Sequence, residues 1–340
     1  VLWLGFEGVD EVVRPAGVRP GGVVLFAKNL DPDPILGPAR CHALIARLRR
    51  QWAPLAVAVD QEGGTVSRLK AWVGPTPTLH RIWHEEGAEG CEAWGGLWGE
   101  GLRRLGVQVD FAPVADLWDP HPDTGLGERR ASADPSQAAQ AAGAFLHGLE
   151  SQGVRGCLKH FPGLGGSTVD SHRALPAIVD PVQAARNARP FQALAHEDRL
   201  VMVAHVQTPC SGVLPASLDP ASVRHNPWGV RGRFIPDALE MGGCARWDWP
   251  ERVLLALEAG HDALLVCMPV AEVEACCAAL ATLPESLWRP AAERFERLRQ
   301  ELDGPVMAWD PAGWAQWVVR VRAAADRLGA HLQADPTEKR

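Results

Sequence analysis

Eight short apolar stretches recur along the 340-residue chain, each rich in aliphatic residues. They start at positions 1, 21, 55, 107, 155, 200, 231 and 262 and read VLWLGF, GGVVLF, LAVAV, VQVDFAPV, RGCLKH, LVMVAHV, RGRFI and DALLVC. Segments with helical periodicity separate them. Near-continuous apolar strands that alternate with helices predict a parallel sheet covered by helices on both faces.

Several helix boundaries can be predicted from capping signals. Asp134 and Pro135 indicate the start of a helix that Gly153 ends. Pro38 indicates the start of an earlier helix. From Trp314 the pattern predicts a closing helix, which a polar tail follows. The predicted apolar faces are Ala138, Ala141, Ala142, Phe145 and Leu149 in the first helix, and Leu44, Ile45 and Leu48 in the second.

Eight strand–helix units suggest a closed (β/α)8 barrel of the TIM type, with a doubly wound open sheet as the competing fold. The positions of the polar residues favour the barrel, because the carboxyl ends of all barrel strands meet at one mouth. Polar residues follow strands two to seven: Asn29, Asp60, Asp116, Lys159, His160, His205 and Asp237. We therefore predict one barrel domain over residues 1–330 and a polar tail over residues 331–340.

Charge and composition exclude several functions. A net charge of -7 and a pI near 6.0 argue against nucleic acid as a partner. No apolar run is long enough to span a membrane. The N-terminal stretch lacks a basic region and a signal cleavage site, and the eight cysteines include no C-x-x-C pair. We expect a cytoplasmic protein with no cofactor and no bound metal.

Residues 159–176 read KHFPGLGGSTVDSHRALP, so a flexible glycine-rich stretch separates a Lys-His pair from an Asp-Ser-His triplet. Gly163, Gly165 and Gly166 suit a loop that moves or passes close to a ligand, whereas a buried strand has no use for them. Each candidate site residue also has a structural explanation. Asp60 and Asp237 could cap helices, Arg68 and Arg129 could be surface cations, and His160 could be a hydrogen-bonded core residue.

Taken together, the motifs are more specific than any single residue. In chain order VDQEGG with Arg68, DFAPVADL, LGERRASADP, KHFPG with DSH, AHV and DALEM resemble glycoside hydrolase family 3, in particular its bacterial β-N-acetylglucosaminidases. The resemblance covers nearly the whole chain. It implies a barrel that hydrolyses terminal β-linked N-acetylglucosamine with retention of configuration. The partner would be a small carbohydrate, such as a muropeptide or a chitin fragment.

The resemblance also implies residue roles. Asp237 matches the family's nucleophile, and His172, paired with Asp170, matches a proton donor that is a histidine. The histidine suits proton transfer near neutral pH, and the glycines would let its loop close over the sugar. The residues expected to bind the sugar are Asp60, Arg68, Arg129, Lys159 and His160. Family members with a second domain often take the acid from it. We expect a chain of this length to use the triplet instead.

Two departures from the family pattern keep an alternative open. Leu164 stands where the family usually has a second histidine, and Pro236 stands where Ser or Thr usually precedes the nucleophile. A non-catalytic sugar-binding barrel of the same family is therefore the first alternative. The second is a metal-dependent hydrolase with His160, Asp170, His172 and His205 around zinc, although the first strand ends in GFEG and lacks an H-x-H motif.

Overall fold

Eight parallel strands form a sheet that is nearly closed into a barrel, in a computed structural model that describes residues 1–8, 18–119, 125–267 and 269–330. The strands are β1 (Leu2–Leu4), β2 (Gly22–Leu25), β3 (Ala56–Val59), β6 (Val109–Asp110), β7 (Arg155–Phe161), β8 (Leu200–Val203), β9 (Arg233–Pro236) and β10 (Leu264–Val266). Their order in the sheet is β10-β1-β2-β3-β6-β7-β8-β9. Each of the eight predicted stretches overlaps one of them, and the predicted barrel class is confirmed.

Two backbone hydrogen bonds join the remaining edges, β9 and β10. The Asp262 amide donates to the Phe234 carbonyl at 2.7 Å, and the Leu239 amide donates to the Leu265 carbonyl at 2.9 Å. A short antiparallel hairpin, β4 (Gln61–Gly63) with β5 (Val66–Ser67), follows β3 at its carboxyl end. The β4–β5 hairpin therefore forms part of the barrel mouth beside β3.

Nine helices lie within the described residues. They are α1 (Gly37–Trp52), α2 (Lys70–Val73), α3 (Leu79–Leu105), α4 (Pro135–Ser151), α5 (Pro181–Leu194), α6 (Trp249–Ala259), α7 (Val270–Thr282), α8 (Glu285–Leu302) and α9 (Pro311–Arg327). Asp134 caps α4 by accepting hydrogen bonds from the Ser136 and Gln137 amides, as predicted. Pro38 lies in the first turn of α1. The closing helix α9 begins three residues before Trp314, and the predicted tail, 331–340, lies outside the described residues.

Side chains of alternate strand residues fill the barrel interior. Trp3 is fully buried there and packs against Phe111 and Phe295, with ring centroids 5.1 and 5.3 Å away. Gly22 leaves room for this indole, since a Cβ at Gly22 would lie 2.6 Å from the Trp3 ring. Phe295 belongs to α8, and Arg299 of the same helix donates to the carbonyl of Pro54, just before β3. Helix α8 thus lies across the amino ends of the strands, while the functional residues lie at the opposite, carboxyl ends.

None of the helices in the described ranges is long and apolar enough to cross a membrane.

Candidate active site

A cavity of about 700 Å³ opens at the carboxyl ends of the strands. Seven of the predicted site residues line it: Asp60, Arg68, Arg129, Lys159, His160, His172 and Asp237. The eighth, Asp170, contacts His172. The structure therefore brings together residues that are up to 177 positions apart, from Asp60 to Asp237. This convergence is what the barrel topology predicts for polar residues at strand ends.

Asp237 follows β9 directly, and two backbone contacts fix it. Its amide donates to the Val203 carbonyl at 2.9 Å, and its Oδ1 accepts from the Ala238 amide at 2.8 Å. Burial alone would raise the pKa of this carboxyl, but His160, His205 and His172 together with the Ala238 amide hold that pKa below its ordinary value. Asp237 is therefore an ionised carboxylate at neutral pH.

His205 lies behind Asp237 and is fully buried rather than exposed to the cavity. Its Nδ1 lies 2.6 Å from Ser217 Oγ, and its Nε2 lies 2.8 Å from the Ala238 carbonyl oxygen. Burial alone would lower the pKa of His205, but the nearby Cys244 sulfur, Asp237 and the Ala238 carbonyl raise it to about 9. These groups therefore favour the charged form of His205.

Asp170 orients His172 through a short local contact. Asp170 Oδ1 lies 2.8 Å from His172 Nδ1 and also accepts from the His172 backbone amide at 2.9 Å. Nδ1 therefore carries the proton that faces Asp170, and Nε2 is the nitrogen that can exchange a proton with a ligand. The Asp170 and His172 side chains are 11% and 26% exposed, so the imidazole is more accessible than the carboxylate behind it.

A buried network of charges forms the wall beside β3. Lys159 Nζ lies 2.9 Å from Asp60 Oδ1 and 2.5 Å from Glu62 Oε1. Arg129 binds Glu62 through two hydrogen bonds of 2.8 and 2.9 Å, and Arg68 Nη2 lies 3.5 Å from Asp60 Oδ2. Three cations thus surround two carboxylates, and these charge-assisted contacts hold the polar groups of this wall in place.

These contacts shift the pKa values of Glu62 and Lys159 so that both side chains keep their charges. Burial alone would raise the pKa of Glu62, but Arg129 and Lys159 hold it well below its ordinary value. Burial would lower the pKa of Lys159, but Asp60 and Glu62 raise it above its ordinary value. Glu62 and Lys159 therefore both stay ionised across the physiological range.

Glu62 and Asp116 are two residues of the site for which the sequence motifs predict no role. Glu62 connects two of the predicted cationic residues, and Asp116 lies 2.7 Å from His160 Nδ1. A usable signal for Glu62 was its place in VDQEGG, two residues after Asp60. Asp116 was recognised only as a polar residue after strand four, and nothing in its spacing from His160 indicates the contact.

The two departures from the family pattern leave the proposed catalytic groups in place. Leu164 is buried in an apolar cluster with Leu126 and Ile178. Its backbone amide donates to Asp116 Oδ1 at 2.7 Å. Pro236 ends β9 in register with Val203 of β8, and Asp237 still lines the cavity.

The four residues of the zinc alternative hold different partners. His160 pairs with Asp116, His172 pairs with Asp170, and His205 contacts Ser217 and Ala238. Within the described ranges, no group of three or more His, Cys, Asp or Glu side chains is arranged to hold a metal ion.

Comparison with known protein families assigns this chain to a family. Residues 9–298 match the model of the glycosyl hydrolase family 3 N-terminal domain. The chain belongs to glycosyl hydrolase family 3. A β-hexosaminidase from Pseudomonas aeruginosa is 34% identical over 304 residues, which cover 87% of this chain and 88% of that protein. The family assignment makes the protein a glycoside hydrolase, as the motifs predicted.

Solved family 3 structures agree with the barrel. A family 3 glycosyl hydrolase from Mycobacterium smegmatis superposes with a TM-score of 0.78 at 31% identity, covering 90% of this chain and 96% of that one. NagZ from Neisseria gonorrhoeae, solved in complex with N-trifluoroacetyl-D-glucosamine, superposes with a TM-score of 0.76 at 26% identity, covering 95% and 97%. In each superposition the similarity therefore extends over most of this chain and most of the other chain.

Proposed function

We propose that the protein is a retaining β-N-acetylglucosaminidase in which Asp237 is the nucleophile and His172, oriented by Asp170, is the general acid and base. The observation that carries this proposal is that Asp237 and His172 line one cavity. An ionised carboxylate and an oriented imidazole can supply the nucleophile and the proton donor that retaining hydrolysis requires.

The first step transfers the sugar to the enzyme. An Asp237 oxygen attacks the anomeric carbon as the bond from that carbon to the leaving oxygen breaks, and His172 Nε2 gives its proton to the leaving oxygen. The product is a glycosyl ester of Asp237. In the second step His172 takes a proton from water as the water oxygen attacks the anomeric carbon. The ester bond breaks and the Asp237 carboxylate returns.

Sugar recognition is assigned to Asp60, Arg68, Arg129, Lys159 and His160. Asp60 and His160 both line the cavity while being held by Lys159 and Asp116, so they are rigid when the ligand arrives. Rigid, paired side chains lose little conformational entropy on binding, which favours recognition of sugar hydroxyls and the acetamido group.

The names of relatives support the substrate class. The Pseudomonas aeruginosa relative is a β-hexosaminidase, and one NagZ structure is a complex with N-trifluoroacetyl-D-glucosamine. A cavity of about 700 Å³ exceeds the volume of one sugar ring and leaves room for part of the leaving group. We further propose that the natural substrates are cell-wall muropeptides and that the protein acts in the cytoplasm. We also propose that residues 1–330 form one barrel domain.

The decisive experiment combines turnover with trapping. The purified protein should release p-nitrophenol from its β-N-acetylglucosaminide much faster than from the β-glucoside, with exhaustive chelation having no effect. A 5-fluoro N-acetylglucosaminyl donor should label Asp237, as peptide mass spectrometry would show. Absence of turnover would favour the non-catalytic sugar-binding barrel, and a label on another carboxylate would overturn the nucleophile assignment.

A further inference from the structure

The glycine-rich segment that precedes the Asp170–His172 pair, here called the dyad, packs tightly against helix α5. A Cβ at Gly163 would lie 2.7 Å from Asn187 Cβ, and a Cβ at Gly165 would lie 2.7 Å from Asn187 Oδ1. Both distances are too short for atoms in van der Waals contact. Gly165 therefore accommodates the Asn187 side chain, and Gly163 does so while also having a positive φ of 114°. Both are reasons for glycine that differ from the loop motion expected from the sequence.

Asn187 also forms hydrogen bonds with this segment. It is fully buried, and its Nδ2 donates to the Gly165 carbonyl at 2.8 Å and to the Gly163 carbonyl at 3.4 Å. Its Oδ1 accepts from Gln183 Nε2 at 2.8 Å, which fixes the orientation of the amide. One side chain of α5 thus holds two backbone carbonyls of the loop that leads to His172.

Two carboxylates hold the amide groups of the same segment. Asp116 accepts from the Leu164 amide at 2.7 Å, and Asp119 accepts from the Gly166 amide at 2.9 Å. Asp119 is itself paired with Arg130 at 2.8 Å. The start of the loop is therefore fixed from both sides, by α5 and by the residues that follow β6.

The far end of the loop rests on the turn that follows the nucleophile. The Gly242 amide donates to the His172 carbonyl at 3.2 Å, and the Gly243 amide donates to the Ser171 carbonyl at 2.9 Å. A Cβ at Gly242 would lie 2.6 Å from the His172 carbonyl oxygen. Gly242 does not have a positive φ, so close contact with the dyad loop is the reason for glycine at this position.

We propose that Asn187 and Gly242 are positioning residues for proton transfer: they hold the two ends of the loop so that His172 lines the cavity together with Asp237. This inference rests on the proposed role of His172. Asn187 is fully buried and does not line the cavity, whereas Gly242 lines it through its backbone and has no side chain with which to bind the sugar. A proton donor displaced by about 1 Å can lose two orders of magnitude in rate, so loosening either end should impair proton donation specifically.

The test compares Asn187→Leu and Gly242→Ala with the wild type, using kcat/KM for an activated aryl β-N-acetylglucosaminide and for an alkyl one. Because kcat/KM reports only the steps up to departure of the leaving group, the comparison isolates proton donation. We expect the alkyl substrate to slow at least about 30-fold more than the activated one in both variants. Amide hydrogen exchange should accelerate in residues 164–173 and stay unchanged in the barrel strands.

Matched controls exist elsewhere in the chain. Asn226 also bridges two backbone carbonyls, those of Val223 and Val230 at 2.9 Å each, in the loop before β9. Gly304 has space around it, because no described atom of another part of the chain lies within 4 Å of the point that its Cβ would occupy. Asn226→Leu and Gly304→Ala should slow both substrates by the same factor.

Each outcome has a defined meaning. Equal slowing of both substrates in folded Asn187→Leu and Gly242→Ala would overturn the inference, because a purely structural role affects both equally. If Asn187→Leu does not fold, Asn187→Ala removes the same donors without a larger side chain. His172→Ala serves as the reference: if it too slows both substrates equally, the proposed proton donor is wrong, which is a different failure.

Discussion

Asp116 Oδ2 binds both the ring and the backbone of His160, lying 2.7 Å from Nδ1 and 3.1 Å from the amide nitrogen. Its other oxygen accepts from the Leu164 amide at 2.7 Å, and the Asp116 side chain is fully buried. One carboxylate thus orients the imidazole proposed to bind the sugar and also fixes the start of the loop that carries Asp170 and His172. Three donors converge on it, so a carboxylate, which only accepts, suits the position.

Replacing Asp116 with Asn should weaken substrate binding and destabilise the fold. An amide nitrogen would face one of the three donors, leaving a buried donor unpaired at a cost of about 1 to 3 kcal/mol. We expect a higher KM for aryl substrates and a lower free energy of unfolding in urea. Asp116→Asn combined with His160→Ala should bind substrate little worse than His160→Ala alone. An unchanged KM in Asp116→Asn would contradict the role of His160 in binding.

Replacing Asp237 with Asn should leave the fold intact and lower turnover by several orders of magnitude, because an amide cannot form the glycosyl ester. The pH dependence provides a second measurement. Since the pKa of Asp237 is lowered in the folded protein, this carboxyl should not protonate until the pH falls below the ordinary aspartate value of about 3.9. We expect kcat/KM to show no acid limb from Asp237 above that pH. Wild-type turnover in Asp237→Asn would end the assignment.

The sequence predicted the fold well because barrel strands and helices are set by local patterns of apolar residues. The site was predicted less completely. Asp237 and His172 were predicted because they lie in recognisable motifs, and both line the cavity, whereas Glu62 and Asp116 make contacts with residues 67 and 44 positions away. Such contacts depend on how distant strand ends meet. The reason for Gly163 and Gly165 also depends on Asn187 of a later helix, and no pattern within the loop indicates it.

Replacing Asp60 with Ala should reduce sugar affinity while preserving the fold. Lys159 would keep its contact with Glu62 at 2.5 Å, so this buried cation retains a counter-charge. N-acetylglucosamine should act as a competitive ligand of the wild type, and its binding should weaken by about 1 to 3 kcal/mol in the variant. Isothermal titration calorimetry measures this directly. Equal affinity in the two proteins would remove Asp60 from the sugar site.

Replacing Glu62 with Gln should instead affect stability. Arg129 and Lys159 would both lose the buried counter-charge of Glu62, and breaking a buried ion pair in this way costs about 3 to 5 kcal/mol. The pKa of Glu62 is lowered in the folded state, so its contribution is present above the unfolded pKa of about 4.3 and is lost as the pH falls below it. The stability gap between wild type and variant should therefore be largest near pH 7 and shrink below about pH 4.3. A gap that is independent of pH would show that the charge of Glu62 is not responsible.

The Asp170–His172 pair should behave as one proton-transfer unit. Asp170 Oδ1 contacts both the ring and the amide of His172, so removing the carboxylate frees the imidazole from the contact that orients it. His172→Ala should slow substrates with poor leaving groups far more than activated aryl glycosides, because only a poor leaving group needs the proton in the transition state.

Asp170→Asn should reproduce much of that selective loss, and the double variant should be little slower than His172→Ala alone, since residues that act as a unit are strongly non-additive. Kinetics on a series of aryl glycosides with different phenol pKa values would measure this as a steeper dependence of kcat/KM on the leaving group. If the triplet merely stabilises the loop, both substrate classes slow equally and the protein unfolds at lower urea. In that case the proton donor lies elsewhere in the cavity.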